Sequence, residues 1–279
     1  MEASGFGTKK CHGGDDLRTC SSLIEDEELG TENSSIWYNH PTNQDREKIL
    51  FCLPYAGMGS AVFGGWRHAK FEAAEIVAAL LPGRDGRLRE DPIESAEELA
   101  TQLADSIVDG PLKDRPLTLL GCSFGGLIAF ELARTLRKRD LNIERLIVAA
   151  CRPPHDLRVT EPVASLPDQQ MVHKLRHWYG AIPAEIADNP AMLELVLPAI
   201  RADMKVYETY EYYEEEPLSC PIISIGGSND RIVSVADLNG WRQHTDAKFS
   251  CRQFAGDHFF MKNQAAPVLR FIDRQLASP

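Results

Sequence analysis

Ser123, Asp230 and His258 are the residues of this chain whose types and order could together open an ester-like bond. A serine hydroxyl is a weak nucleophile until a base takes its proton, and the imidazole that does so needs a carboxylate to set its tautomer. Ser123 lies in "GCSFGG" (121–126), a G-x-S-x-G pattern that follows the β-forming run "LTLL" and precedes an apolar helical pattern. In that context a sharp strand-to-helix turn lifts the serine above a sheet in a strained backbone conformation. Side chains two residues before and after the serine would collide there. Gly121 and Gly125 remove the collision, and Gly126 lets the helix pack close to the sheet. The helix N-terminus also aims partial positive charge at the hydroxyl. A glycine-rich turn with a serine at an indifferent place is the bland alternative, and the strand–turn–helix setting favours the nucleophile.

The partners follow from chain order, which for a serine on such a turn runs serine, acid, histidine. His258, in "GDHFF", closely follows the last expected strand; His244 precedes that strand in a polar segment, where a solvated surface role is expected. The acid should leave a strand of the same sheet, so that it faces the same rim. Asp230, in "PIISIGGSNDRIV", stands just beyond a strand end and is preferred to its rival Asp156 in "CRPPHD". Asp257 adjoins His258, and its side chain is not expected to fold back onto that imidazole. The oxyanion of an acyl transfer needs two donors. The N–H of Phe124, next after the serine, is one; Ala56, in the glycine-bearing loop "LPYAGMGSAVF" (53–63), is the candidate for the other.

These residues must be held by a sheet, and the chain alternates accordingly. "KILFCLP" (48–54), "AEIVAALLP" (74–82), "LTLLGC" (117–122), "RLIVAAC" (145–151), "PIISIGG" (221–227) and "FSCRQFAG" (249–256) read as strands. A helix is expected from Ser95 to Val108, with Ala96, Leu99, Ala100, Leu103 and Ile107 on one face and Ser95 and Glu98 at capping-box spacing. Further helices are expected through Arg139 and from about Gln264 to Leu276. Such alternation predicts a mostly parallel sheet covered on both faces. From about Asp168 to Glu216 the rhythm breaks into a helical stretch with one stripe of Met171, Leu175 and Trp178 and another of Leu193, Val196, Leu197, Ile200 and Met204. It reads as an insertion over one edge, its stripes more often packing faces than ligand sites.

Composition limits the class. With 279 residues, 43% hydrophobic and 25% charged, the chain can bury a core of one α/β domain. Its net charge of −11 disfavours nucleic acid and anionic membranes as partners. The absence of an apolar run near ~18 residues and of a signal-peptide core predicts a cytoplasmic protein. Seven cysteines without an export signal suggest reduced thiols. Cys11, His12 and Cys20 lack a second ligand pair at zinc spacing, so no metal and no cofactor are expected. Residues 1–35, polar and aperiodic, are expected to form a disordered tail ahead of a domain over 36–279.

With these residues in place, the chain resembles the type II thioesterases, the stand-alone partners of polyketide and nonribosomal peptide synthetases. The resemblance runs from about Trp37 to the end, on "LPYAGMGSAVF", "LPGRDGRL" (81–88), "GCSFGG", "LPAIRADMKVYETYEY" (197–212), "GGSNDRIV" and "GDHFF", in that order. It implies the α/β-hydrolase fold, a triad at Ser123, Asp230 and His258, an oxyanion loop over Tyr55 to Gly59, and a helical lid at about 168–216. It also implies hydrolysis of acyl thioesters on the phosphopantetheine arm of an acyl-loaded carrier protein. A monomer is expected. A medium-chain fatty-acyl thioesterase, a carboxylesterase or an acyltransferase would use the same triad, whereas a hydrolase-like binding module would lack part of it. Two departures stand out: Cys122 replaces the family's usual histidine before the serine, and Met58 stands where a third small residue is common. The basic stretches "HKLRH" (173–177) and "RTLRKR" (134–139) read better as solvated faces than as a carrier dock.

Overall fold

Six short apolar runs become six parallel strands, and their burial explains their composition. The computed structural model describes residues 37–39, 46–68, 71–159 and 161–277. The strands are β1 (Ile49–Leu53), β2 (Glu75–Ala78), β3 (Leu117–Cys122), β4 (Arg145–Ala149), β5 (Ile222–Gly227) and β6 (Phe249–Phe254), in the spatial order β2-β1-β3-β4-β5-β6. Every residue of β1, β3 and β5 is buried. Strands covered on both faces need unbroken hydrophobic runs, and these have them. Edge strand β6 is only partly buried, which accommodates Arg252 and Gln253.

Alternation along β1 sends Ile49, Phe51 and Leu53 to one face and Leu50 and Cys52 to the other. The first face is covered by α1 (Ala96–Val108) and α2 (Phe124–Arg137) through Leu99, Leu103, Ile128, Leu132 and Leu136. The second is covered by α8 (Ala265–Ala277) through Val268, Leu269 and Ile272, preceded by the short α7 (Phe260–Asn263). Ser95 caps α1, its side chain accepting from the Glu98 N–H. Another short helix, α6 (Val235–Gly240), follows the loop after β5 and opens on a Ser234–Asp237 capping box.

The expected insertion contains α3 (Asp168–Tyr179), α4 (Ala184–Ala187) and α5 (Pro190–Thr209). It leaves the sheet between β4 and β5, which are interior neighbours, so it does not lie over an edge as chain order had suggested. Its own core joins Val163, Met171, Leu175, Leu197, Ile200 and Met204. Residues 210–216, expected to continue the helix, do not. Arg134 of α2 donates to the Tyr213 carbonyl at 2.8 Å, and Arg137 to the Glu216 and Pro217 carbonyls at 2.8 and 2.9 Å. Acids at 211 and 214–216 would also face one another across helical turns.

The segment over 1–35, with Cys11, His12 and Cys20, lies outside the described residues. The five described cysteines are free thiols. Among the described residues, no helix is long and apolar enough to cross a membrane.

Candidate active site

Chain order leaves β1 toward β2 on one side and continues from β3 to β6 on the other. A ligand crevice forms beyond the strand ends where that order reverses, between β1 and β3. The loop after β1 and the turn after β3 therefore face one another, and they carry Ala56 and Ser123.

Ser123 occupies φ 51°, ψ −114°, a strained conformation for a non-glycine residue. Its N–H donates to the Ala149 carbonyl at 2.8 Å, and its own carbonyl accepts from Gly126 at 2.8 Å, which holds the turn. The glycine requirement is steric. A Cβ on Gly121 would sit 2.0 Å from the Gly125 oxygen, and one on Gly125 would sit 2.4 Å from the Leu53 and Pro54 oxygens. The turn thus presses against the end of β1 as well as against itself, which places the hydroxyl beside the loop that carries Ala56.

The loops after β5 and β6 are tied together, and this brings Asp230 and His258 into reach of one another. Ser228 N–H donates to the Phe254 carbonyl at 2.7 Å, and Asn229 N–H to the Gly256 carbonyl at 2.8 Å. His258 Nδ1 lies 2.9 Å from Asp230 Oδ2, and His258 Nε2 lies 3.0 Å from Ser123 Oγ. An ionised carboxylate only accepts, so Nδ1 carries the proton and Nε2 is left to accept from the serine hydroxyl. The Asp230 side chain is fully buried, with its other oxygen accepting from Ile232 and Val233 N–H at 2.8 and 3.1 Å. Burial alone would push its carboxyl up, but the hydrogen bond and charge of His258 and the two N–H groups together hold it below the usual carboxylate range.

The rivals go elsewhere. Asp156 pairs with Arg158 at 2.5 Å, and Asp257 accepts from the Phe259 N–H at 2.9 Å. His244 is not on the surface as expected; it is 3% exposed, because Phe130, Trp241 and Tyr212 pack around its ring and His155 meets it at 2.8 Å. Cys122, in the position before the serine, is buried with its sulfur 3.4 Å from that of Met261. Burial, reinforced by nearby Cys151, pushes its thiol far up, so it offers no thiolate.

Phe124 opens α2, so its N–H precedes the first intrahelical bond. Met58 N–H donates to the Tyr55 carbonyl at 3.0 Å, closing a turn that makes no use of the Ala56 N–H. Ala56, Phe124, Ser123 and His258 line one cavity of about 150 Å³. Its far wall is apolar and comes from the insertion: Leu175, Ile186, Val196, Ile200 and Met204. Some stripe residues are therefore both packing and lining, while Met171 and Leu197 only pack. Met58 lines the same cavity.

Reading from sequence missed two supports of the loop after β1. The Tyr55 hydroxyl donates to the His258 carbonyl at 3.3 Å. Gly57 N–H donates to Asp203 Oδ2 at 2.7 Å, and Arg84 grips the same carboxylate at 2.6 and 2.9 Å. Neither Arg84 nor Asp203 belongs to a periodic pattern. Their only sequence signal was membership of "LPGRDGRL" and "LPAIRADMKVYETYEY".

A parallel sheet flanked by helices, with a strained serine at the turn after its third strand, defines an α/β-hydrolase. Within that class, a family model described as "Thioesterase domain" matches residues 48–276, and the chain belongs to the thioesterase family of thioester hydrolases. It is 36% identical over 242 residues to the gramicidin S biosynthesis protein GrsT of Aneurinibacillus migulanus, covering 86% of this chain and 93% of that one. It is 31% identical over 247 residues to the thioesterase PikA5 of Streptomyces venezuelae, covering 88% and 86%. The solved structure of the type II thioesterase BorB, from the borrelidin biosynthetic cluster, superposes with a TM-score of 0.78 at 31% identity, covering 86% of this chain and 98% of that one.

Proposed function

We propose that this thioesterase hydrolyses acyl groups held as thioesters on the phosphopantetheine arm of carrier proteins, clearing or releasing them in polyketide or nonribosomal peptide biosynthesis. The observation that carries the reading is the Ser123–His258–Asp230 hydrogen-bonded line opening into an apolar cavity. The named pathways of the relatives GrsT and BorB support the carrier-bound substrate.

In this reading His258 Nε2 takes the Ser123 proton as Oγ attacks the thioester carbonyl. The N–H groups of Phe124 and Ala56 receive the oxyanion, and Asp230 stabilises the imidazolium. As the tetrahedral intermediate collapses the carbon–sulfur bond breaks, and the His258 proton goes to the departing thiol. Water then attacks the acyl-enzyme with His258 again as base, freeing the acid and restoring Ser123. The proposed domain is 36–279, with α3 to α5 as the lid, and it acts as a cytoplasmic monomer. The basic stretches are no evident dock: Arg134, Arg137 and Lys138 pair with Glu215, and Arg139 with Asp105. Lys174 pairs with Glu161.

The test is a panel of acyl-loaded carrier proteins scored for free thiol, beside a simple aryl ester. Parent enzyme should release acyl groups from carriers with higher kcat/KM than from the aryl ester. Ser123→Ala should fold normally and lose nearly all turnover; removal of a triad serine costs about 10⁶ in kcat in a measured protease. Preference for the aryl ester would make the protein a carboxylesterase, and an acceptor outcompeting water would make it an acyltransferase. Activity of Ser123→Ala within about tenfold of the parent would remove the serine from the mechanism.

A further inference from the structure

Far from the triad in sequence, one ion pair is buried completely enough to ask what it holds. Asp203 is 0% exposed and Arg84 6%, and both guanidinium Nη atoms meet the two carboxylate oxygens. Such a pair carries a desolvation penalty that apolar residues of similar size would avoid, so stability is a weak reason for having it. The pair has a third member. Asp203 Oδ2 also accepts from the Gly57 N–H at 2.7 Å, and Gly57 follows Ala56.

The peptide geometry gives this contact a consequence. The Ala56 N–H belongs to the same rigid plane as the Tyr55 carbonyl, which the Met58 N–H already engages. The next plane carries the Gly57 N–H, which Asp203 holds. With both planes fixed, the direction of the Ala56 N–H is fixed. Gly57 has φ 68°, and a Cβ there would lie 2.1 Å from Ile200 Cγ1, so the loop presses directly on α5. Ile200 and Met204 of that helix line the cavity, one turn from and next to Asp203.

We infer that the Arg84–Asp203 pair is a positioning device, clamping the loop after β1 to α5 so that the Ala56 N–H points at the oxyanion. The inference rests on the proposed role of Ala56. Arg84 and Asp203 do not touch the reacting atoms; they act through Gly57. Arg84 serves as the fixed counter-charge to the Asp203 carboxylate, whose bond to the Gly57 N–H is charge-assisted and strong.

Asp203→Asn keeps the side-chain shape and removes the charge. Its kcat on an acyl-carrier substrate should fall about ten- to a hundredfold, less than the 10²–10³ loss of a whole oxyanion donor, while KM stays within about threefold. The pH profile of kcat/KM should keep the parent's inflection, because Asp230 and His258 are untouched. Affinity for butylboronic acid, whose tetrahedral adduct on Ser123 puts an oxygen in the oxyanion position, should weaken in parallel. The double variant Arg84→Met with Asp203→Leu should regain the parent's melting temperature and not its kcat, separating positioning from stability. Should Asp203→Asn not fold, Arg84→Lys, which keeps the charge and loses the two-pronged grip, should show about a tenfold loss in kcat with the same boronate weakening. Folded Asp203→Asn with parental kcat and boronate affinity overturns the inference, as does a double variant that recovers stability and turnover together. Those results leave the proposed function standing if Ser123→Ala is inactive, whereas an active Ser123→Ala removes the function reading itself.

Discussion

At Asp230 burial and hydrogen bonding pull in opposite directions, and the hydrogen bonds win. A carboxylate with no exposed surface survives as an anion because His258, Ile232 and Val233 all donate to it. The Asp156 carboxylate pairs with an exposed Arg158, an arrangement that leaves it no line to His258. The two residues therefore make opposite predictions. Asp230→Asn should lower kcat at least a thousandfold, scaled from a measured triad-acid loss of about 3 × 10⁴, while Asp156→Asn should stay within about tenfold. Steady-state kinetics on both variants, with circular dichroism to confirm folding, checks the ranking; the reverse order would move the acid to Asp156.

On α5 one helix does two jobs with neighbouring residues. Met204 faces the cavity, whereas Leu197, a member of the same apolar stripe, packs inside the insertion. A helix repeats every 3.6 residues, so a stripe wider than one contact surface divides between partners. Replacing Met204 by Trp should fill part of the cavity and shift preference toward shorter acyl groups, with acetyl turnover kept within about threefold. Leu197→Ala should leave the chain-length profile unchanged and lower stability by about 2–5 kcal/mol, the usual cost of an aliphatic truncation in a core. Chain-length profiles and urea melts of the two variants decide it; a profile moved by Leu197→Ala and not by Met204→Trp would reassign the wall.

For the molecule as a whole, the buried His244 links stability to pH. Burial, then the neighbouring His155 and Arg134, pulls its imidazole down to about 4, while an unfolded chain titrates near about 6.5. As pH falls below about 6.5, the unfolded chain takes a proton that the folded ring refuses, so folding stability declines until about pH 4 and then levels for this group. The full effect is about 3 kcal/mol at most, a sizeable part of a typical domain's 5–15 kcal/mol. Asp230, Glu90 and Glu215, whose carboxyls are lowered, contribute stability that is lost only as pH falls into and below the ordinary carboxylate range, so the part of the window above about 5 belongs largely to His244. Melting temperatures from pH 7 to pH 4 should fall less steeply for His244→Phe than for the parent; equal slopes would show that the ring is not the titrating group.

What the sequence by itself determined was local. The glycines of "GCSFGG" declare the turn, because the clashes they avoid involve residues four apart and the adjoining strand end. The unbroken apolar runs declare buried parallel strands, and the motif order declares the family. Only the tertiary structure decided what depends on strand order. It joined Arg84 to Asp203 across 119 residues and turned α5 toward the crevice and away from a sheet edge. It also buried a histidine in a segment that looks polar, and it released residues 210–216 from the helix to meet arginines of α2. The physical reason is common to all four. Periodicity and steric exclusion act within a few residues, whereas a carboxylate's or an imidazole's surroundings are set by whichever distant elements the sheet places beside it.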